Sequence, residues 1–225
     1  RFMGLADYVA DGVMTEAQAC FLRQAVHERQ NIVVAGGTST GKTTLANALL
    51  EEIAYTRDRV LILEDTVELQ CRSDDHVGMR AEPGVASMAD LVRATLRLRP
   101  DRIVVGEVRG AEALDLLKAW GTGHPGGIAT VHAGSAASAL TRLEQLVQEV
   151  SLTVPRALIA EAVNVIVFIA GRGHARRVRE IVRVIGHDRD GYQLDGSLGP
   201  PFPPIQQVVA SLSPSSTSST TGEPS

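Results

Sequence analysis

Short apolar runs alternate with longer amphipathic stretches along most of the chain. The apolar runs predict buried strands at residues 32–35, 59–63, 102–106 and 128–131. The amphipathic stretches predict helices from a Thr15 cap to about residue 28 and at residues 44–50, 88–98, 111–120, 135–150 and 155–162. This alternation predicts an α/β fold in which a mostly parallel sheet carries helices on both faces.

The C-terminal part departs from this alternation. Residues 165–169 and 179–185 have the pattern of two more strands, and residues 188–192 supply the turn signal of a C-terminal β-hairpin. Beyond about Gly196 the chain is rich in Pro, Ser, Thr and Gly and has few core residues, which predicts a disordered tail. We therefore expect one domain over residues 1–195 and a tail over residues 196–225.

Composition is that of an ordinary globular protein, because 44% of the 225 residues are hydrophobic and 21% are charged. No apolar run is long enough to span a bilayer, and the start lacks the basic and apolar regions of a signal peptide. We therefore expect a cytosolic protein. The formal net charge of -4 argues against general affinity for nucleic acid, and we expect no direct sequence-specific binding to it.

Two further features concern the cysteines and the start of the chain. Cys20 and Cys71 have neither a disulfide framework nor metal-ligand spacing, which predicts two reduced thiols. The sequence begins with Arg1 instead of Met and soon enters its first predicted helix, so we expect that an upstream part precedes it.

Residues 36–43 fit the pattern G-x-x-x-x-G-K-[ST] where the strand at 32–35 gives way to the helix at 44–50. Glycines let the backbone wrap closely around a polyphosphate, and the first amides of the following helix attract the same anion. In this interpretation Lys42 reaches the β- and γ-phosphates of ATP, and the Thr43 hydroxyl binds Mg²⁺. The predicted phosphate-binding residues are Gly36, Gly37, Thr38, Ser39, Thr40, Gly41, Lys42, Thr43 and Thr44. The alternative is a glycine-rich turn that holds no ligand.

The scarcity of lysine favours the phosphate loop over that alternative. Of the 22 Lys and Arg residues only Lys42 and Lys118 are lysines. A lysine at this position of the motif is therefore improbable by chance.

Carboxylates follow two of the predicted strands. A nucleotide hydrolase needs one carboxylate to orient Mg²⁺ and water and another to polarise the attacking water. Glu107 follows the strand at 102–106 as a Walker B acid does, although Gly106 stands where an aspartate is usual. A second carboxylate is available after the strand at 59–63, from Glu64, Asp65 or Glu68. The alternative for these three acids is a solvated loop or the start of a helix.

Arginines are dense around Glu107, at positions 93, 97, 99, 102 and 109. An arginine from a neighbouring subunit often stabilises charge on the γ-phosphate, while pairing with acids or plain exposure is the alternative for each. His124 and His132 flank a glycine-rich turn, where a structural role competes with catalysis and metal ligation is disfavoured. Residues 172–183 contain five arginines suited to phosphate or acidic lipid, but a solvated strand face explains them equally well.

These motifs in this order resemble the traffic ATPases of type IV secretion, type IV pili and type II secretion. Residues 36–44 resemble the Walker A box of that family, 62–68 its Asp box, 98–109 its Walker B box and 123–134 its His box. Gly106 before the Walker B glutamate is the family's own pattern. Within the type IV secretion branch the chain is most similar to conjugal-transfer ATPases of the TrbB type. No tetracysteine zinc module is present in the sequence, which disfavours the type II secretion branch.

The resemblance implies a RecA-like P-loop NTPase domain, assembled as a hexameric ring at the cytoplasmic face of the bacterial inner membrane. It also implies a separate preceding domain that helps to grip nucleotide, and partners among the inner-membrane secretion or conjugation proteins. The residue roles that it implies are phosphate and Mg²⁺ binding by Lys42 and Thr43, the Walker B acid and metal contact at Glu107, activation of water by Glu68 or Glu64, sensing of the γ-phosphate by His132, and charge stabilisation by Arg97, Arg99 or Arg109. Ser39 and Thr40 depart from the family's commoner Gly-Ser pair.

The expected function is ATP hydrolysis that drives conjugative DNA transfer, type IV secretion or pilus assembly. Three alternatives stay open from the sequence. They are a motor of type IV pilus extension or retraction, a P-loop kinase acting on a small molecule, and an assembly protein that is gated by nucleotide binding without hydrolysis.

Overall fold

A computed structural model describes residues 3–196 of the chain. The helices are α1 (Leu5–Ala10), α2 (Glu16–His27), α3 (Lys42–Ala54), α4 (Met88–Thr95), α5 (Glu112–Gly121), α6 (Ala136–Gln148) and α7 (Arg156–Ala162). The strands are β1 (Ile32–Gly36), β2 (Val60–Glu64), β3 (His76–Arg80), β4 (Arg102–Val105), β5 (Ile128–His132), β6 (Val165–Ala170), β7 (Arg177–His187) and β8 (Tyr192–Asp195).

Within this part of the chain the strands form one sheet in the order β3-β2-β4-β5-β1-β6-β7-β8. The neighbours from β3 to β6 pair in parallel, whereas β7 pairs antiparallel with β6 and with β8. Because parallel strands point the same way, the carboxyl ends of β1, β2, β4, β5 and β6 open on one edge of the sheet. β1 lies between β5 and β6, so Gly36 at its end pairs with His132 on one side and Ile169 on the other.

Each face of the sheet has its own hydrophobic core. Ile32 and Val34 of β1 pack into a core with α1, α2 and α3, while Val33 and Ala35 face a second core with α4 to α7. Alternate residues of a strand point to opposite faces, so a fully apolar β1 can serve both cores. The predicted α/β fold with a mostly parallel sheet and helices on both faces is thereby confirmed.

The antiparallel C-terminal hairpin of β7 and β8 is also confirmed. Its turn is closed by the Asp188 amide, which donates to the Gly191 carbonyl at 2.8 Å. Gly191 has φ +138°, a backbone conformation that favours glycine. All of the predicted tail at 196–225 except Gly196 lies outside the described residues, and the division into a domain and a tail stays a prediction.

One α-helix and one strand of the sheet were not predicted, and another helix is shorter than its pattern suggested. α1 is a six-residue helix. β3 is an edge strand whose side chains are exposed or half-buried. Its sequence has no apolar run from which a strand could be predicted. α4 ends at Thr95 instead of Leu98. Cys20 and Cys71 carry free thiols, and no helix within residues 3–196 has both the length and the apolarity to cross a membrane.

Candidate active site

The phosphate loop, residues 36–43, connects β1 to α3 at the carboxyl edge of the sheet. A Cβ at Gly36 would lie 2.5 Å from the carbonyl oxygen of Ile169, so the close approach of the loop to β6 requires glycine there. Gly41 has φ +94° immediately before the helix, which also favours glycine. These two motif glycines are therefore explained by packing and backbone conformation.

Lys42 folds back over the phosphate loop. Its Nζ donates a hydrogen bond to the Gly37 carbonyl at 3.0 Å, and the Thr40 hydroxyl donates to the same carbonyl at 2.9 Å. Burial lowers the pKa of Lys42; Glu107 and Glu68 oppose that shift. The ammonium group is thus held beside the loop amides, where a phosphate would replace the carbonyl as its partner.

Ser39 adopts a backbone conformation that is rare for residues other than glycine. Its φ is +61°, in the left-handed region. Ser39 occupies a position at which the traffic ATPases that the sequence resembles commonly have glycine. The serine therefore replaces glycine at a position whose backbone conformation disfavours a side chain. Strain of this kind is concentrated at functional loops.

The loop that follows β2 packs against the start of α3. The Thr43 hydroxyl donates to Glu68 Oε2 at 3.1 Å, and Asn47 Nδ2 donates to the Glu68 carbonyl at 3.2 Å. Asn47 Oδ1 in turn accepts from the Gln70 amide at 2.8 Å. Glu68 is exposed, so its carboxylate is accessible beside the hydroxyl predicted to bind Mg²⁺.

Glu64 has a different environment from Glu68. It is 7% exposed, and its Oε1 accepts from the Glu68 amide at 2.9 Å and the Leu69 amide at 2.8 Å. Gly106 lies against it, because a Cβ at Gly106 would be 3.1 Å from the Glu64 Cγ. The glycine before the Walker B glutamate therefore leaves room for the carboxylate that holds the loop after β2.

Glu107 follows β4 and contacts two of the predicted site residues. Its Oε2 accepts from Arg109 Nη2 at 2.6 Å, and its Oε1 lies 2.8 Å from His132 Nε2. Arg109 also donates to Asp65 Oδ2 at 2.8 Å, and the hydrogen bond with Glu107 is the main cause that raises the pKa of Arg109. Oε1 of Glu107 is buried and has no well-aligned hydrogen bond within residues 3–196.

These groups suit Mg²⁺. An oxygen-rich cleft of about 80 Å³ is lined by Thr43, Glu68 and Glu107 among others, and the carboxylate of Glu107 is largely buried beside it. Over residues 3–196 no three His, Cys, Asp or Glu side chains form a protein-only metal site. The cleft fits Mg²⁺, which usually keeps waters and binds through substrate phosphates and one or two protein oxygens.

The structure does not bring every predicted side chain to this site. Arg97 and Arg99 precede β4 and so lie at the opposite edge of the sheet, which leaves only a role across a subunit boundary, and that role stays a prediction. Arg93 pairs with Asp90 and Asp115 on the protein surface.

Two more residues that the sequence left open have structural contacts at the amino edge of the sheet. Arg102 is 1% exposed and donates from Nε to Asp58 at 2.6 Å. Burial alone would raise the pKa of Asp58, but hydrogen bonding and charge from Arg102 outweigh it and lower the pKa. His124 Nδ1 lies 3.0 Å from the Pro100 carbonyl.

Sequence reasoning missed several residues that position the site. The Thr130 hydroxyl donates to the Gly106 carbonyl at 2.6 Å, and Glu112 Oε1 accepts from the Arg109 and Gly110 amides at 2.7 and 3.0 Å. Thr130 acts on the backbone of another segment, so no local spacing reveals it. For Glu112 the sequence offers a local signal, because an acid is favourable in the first turn of a helix and Glu112 begins α5.

Comparison with known proteins gives a consistent picture. The family model described as "Type II/IV secretion system protein" matches residues 3–173. Conjugal transfer protein TrbB of Rhizobium radiobacter is 52% identical over 197 residues, which cover 87% of this chain and 61% of that protein. The type IV secretion system protein PtlH of Bordetella pertussis is 40% identical over 177 residues, 72% of this chain and 52% of that protein.

Solved structures share the fold. The VirB11 ATPase of the Brucella suis type IV secretion system, solved with sulphate, has a TM-score of 0.69 and 33% identity, over 80% of this chain and 54% of that one. The pilus retraction motor PilT has a TM-score of 0.56 and 24% identity, over 85% of this chain and 53% of that one, which shows a shared fold alone. The chain thus spans about 50 to 60% of the length of the relatives it matches.

Proposed function

Because the chain belongs to the family of type II/IV secretion system proteins, we propose that it is an ATPase whose turnover powers type IV secretion or conjugative DNA transfer. One observation carries the proposal of hydrolysis. The predicted site residues converge at one edge of the sheet. They are Lys42 and Thr43 after β1, Glu68 after β2, Glu107 after β4 and His132 at the end of β5.

The phosphate loop would bind ATP through its amides, with the Lys42 ammonium leaving the Gly37 carbonyl to contact the β- and γ-phosphates. Thr43 and Glu107 would hold Mg²⁺, directly or through water. When bound, Mg²⁺ would neutralise charge that develops on the phosphates. The position of Glu107 in the same cleft as Thr43 supports its part in this site.

Glu68 is the better candidate to activate water. Its carboxylate is exposed beside Thr43, whereas one oxygen of Glu64 already accepts two backbone amides. Glu64 would then position the loop that carries Glu68 without touching water. A general base must lie within hydrogen-bond reach of the proton it removes, and the exposed carboxylate satisfies that requirement more readily.

His132 and Arg109 would report on the γ-phosphate through Glu107, since both contact its carboxylate. Arg109 could instead turn toward the phosphate, because its side chain is 61% exposed. Arg97 and Arg99 would act only on the nucleotide of a neighbouring subunit. For that, they would have to lie beside the phosphate loop of the neighbour.

The assembly that we propose is a homo-oligomer, a hexameric ring at the cytoplasmic face of the inner membrane that works with other secretion or conjugation proteins. Relatives named as type IV secretion and conjugal transfer proteins support this context. Arg97 and Arg99 are exposed at the amino edge of the sheet, where they would be able to contact the nucleotide of a neighbouring subunit.

The test is ATP hydrolysis measured over a dilution series with Mg²⁺ present. We expect weak activity from the 225-residue chain, and specific activity that rises with protein concentration as subunits assemble. Sedimentation at the same concentrations should show the oligomer. Constant specific activity from a monomer would contradict the shared site, and absence of both ATP binding and hydrolysis would contradict the ATPase.

A further inference from the structure

The connection between β6 and β7 lies beside the phosphate loop. We call residues 171–177 the arginine strap, since Arg172, Arg176 and Arg177 belong to it; a short 3₁₀ helix, Gly173–Ala175, forms its middle. β6 is the neighbour of β1, so the strap leaves the sheet at the same edge as the phosphate loop. It stands on the flank opposite to the carboxylates, which follow β2 and β4.

Two arginines of the strap contact the phosphate loop. The guanidinium of Arg176 covers Gly41, where an added Cβ would lie 3.0 Å from Cζ and 3.1 Å from Nε. Arg172 donates from Nη2 to the Thr38 carbonyl at 3.3 Å. Both cations thus lie against a backbone whose amides would cradle a polyphosphate.

Neither Arg172 nor Arg176 forms an ion pair within residues 3–196, and the buried Nε of Arg176 has no hydrogen-bond partner there. A buried donor without a partner is costly, and arginine is suited to bidentate contacts with phosphate. The positive charge of the strap is therefore available to an anion at the phosphate loop.

The strap is held in place by the body of the protein. The Val178 amide, directly after it, donates to the Val13 carbonyl at 2.8 Å. Arg177 Nη1 donates back to the His174 and Arg176 carbonyls at 2.7 and 2.6 Å. Gly171 has φ +82°, and a Cβ there would collide with the Ala175 carbonyl. These contacts fix the position of Arg176 before any ligand arrives.

Tyr8 of α1 lies under the strap. Its side chain is fully buried with an unpartnered hydroxyl in the described part of the chain, and burial raises its pKa while the nearby charge of Arg176 opposes that shift. Arg176 thus has the Tyr8 side chain and Gly41 beside it.

We propose that Arg176, assisted by Arg172, is a nucleotide-binding residue that contacts the α- and β-phosphates from the same subunit as the phosphate loop. The proposal rests on the proposed function of that loop. Arg176 stands at Gly41, next to the amides that cradle the α- and β-phosphates, while Lys42 reaches toward the γ-phosphate. Arg176 therefore binds ADP and ATP alike, and it contributes more to the affinity for nucleotide than to the rate of hydrolysis.

The experiment measures the Kd of ADP and of a non-hydrolysable ATP analogue for the 225-residue chain and for four variants, one of which is a control. We expect Arg176→Ala to raise both Kd values by about 10-fold or more, as for a lost hydrogen bond to a charged group. Arg176→Lys should recover part of the affinity, and Arg172→Ala should cause a smaller loss. Arg189→Ala is the matched control, because Arg189 is exposed in the turn after β7, at the far edge of the sheet.

Unchanged affinities in Arg176→Ala and Arg172→Ala, with a parent that binds nucleotide, would overturn the role of the strap and leave the phosphate loop intact. A parent that binds neither nucleotide would instead overturn the proposed function. Thermal unfolding of each variant checks folding, and if Arg176→Ala unfolds, the exposed Arg172→Ala carries the test. Loss of binding to vesicles with anionic lipid, without a change in nucleotide affinity, would also overturn the proposal.

Discussion

The two flanks of the phosphate loop differ in how their charges are paired. On the flank of β2, β4 and β5, Arg109 is shared by Glu107 and Asp65, and His132 lies against Glu107. On the flank of β6, Arg176 covers a glycine and has no acidic partner in the part of the chain that the structure describes.

This difference suggests a division of labour. An acidic flank can hold a cation and orient water, and it would repel phosphate unless Mg²⁺ or arginine offsets its charge. A basic flank without acids can accept the negative charge of a polyphosphate directly. We therefore expect changes on the acidic flank to act mainly on kcat and changes on the basic flank mainly on Kd.

Lys42→Ala should have the largest effect, because Lys42 lies at the phosphate loop between the two flanks. Removing the ammonium group takes away a charge aimed at the phosphates and disturbs little of the core, so we expect hydrolysis to fall to background while the fold is retained. Steady-state ATPase assays and circular dichroism check the two parts. Lys118→Ala, an exposed lysine on α5, is the matched control. Hydrolysis near the parent rate in Lys42→Ala would contradict the phosphate loop.

Glu107→Gln should lower kcat by roughly 100-fold or more, in the range of groups that act on the proton or metal in the transition state. It keeps the shape of the side chain, so the Kd for ATP should change far less. Single-turnover hydrolysis and equilibrium binding of labelled ATP separate the two quantities. If the variant no longer binds ATP, the acidic flank contributes to affinity and the division between the flanks fails.

Gly106→Ala should have the smallest effect of the three. The new Cβ would press on the Glu64 side chain at 3.1 Å, so we expect a loss of about 1 kcal/mol in the free energy of unfolding and a several-fold lower kcat. Denaturant unfolding and ATPase assays measure these changes. Gly78→Ala is the control, because an added Cβ on β3 meets nothing within 4 Å. Equal effects at the two positions would contradict the inference that Glu64 needs the space left by the missing side chain at Gly106.

The parts of the fold that depend on local pattern were predictable. The strand before Gly36, the helix after Thr43 and the capping residues Thr15 and Ser87 each have a signal within a few neighbouring residues. The site residues at the ends of strands were predictable for the same reason, since parallel strands bring their carboxyl ends to one edge. Their roles in catalysis stay predictions.

Other features depend on contacts between distant segments. The sequence gives Glu64 and Glu68 equal standing, and only the folded loop after β2 shows that one holds amides while the other meets Thr43. Arg176 belongs to a run of arginines that a solvated strand face explains equally well, and its contact with Gly41 joins segments 135 residues apart. Polar edge strands such as β3 lack the apolar run on which strand prediction depends.

The seclusion of Lys42 has a practical use in chemical footprinting. Apart from the terminal amine, Lys42 and Lys118 are the only primary amines in the sequence; Lys42 is 8% exposed and Lys118 lies on the surface. An acylating reagent therefore modifies Lys118 as an internal standard and Lys42 only as the loop opens. The ratio of the two modified peptides in a mass spectrum would report the occupancy of the phosphate loop, without a label on the nucleotide or an engineered probe.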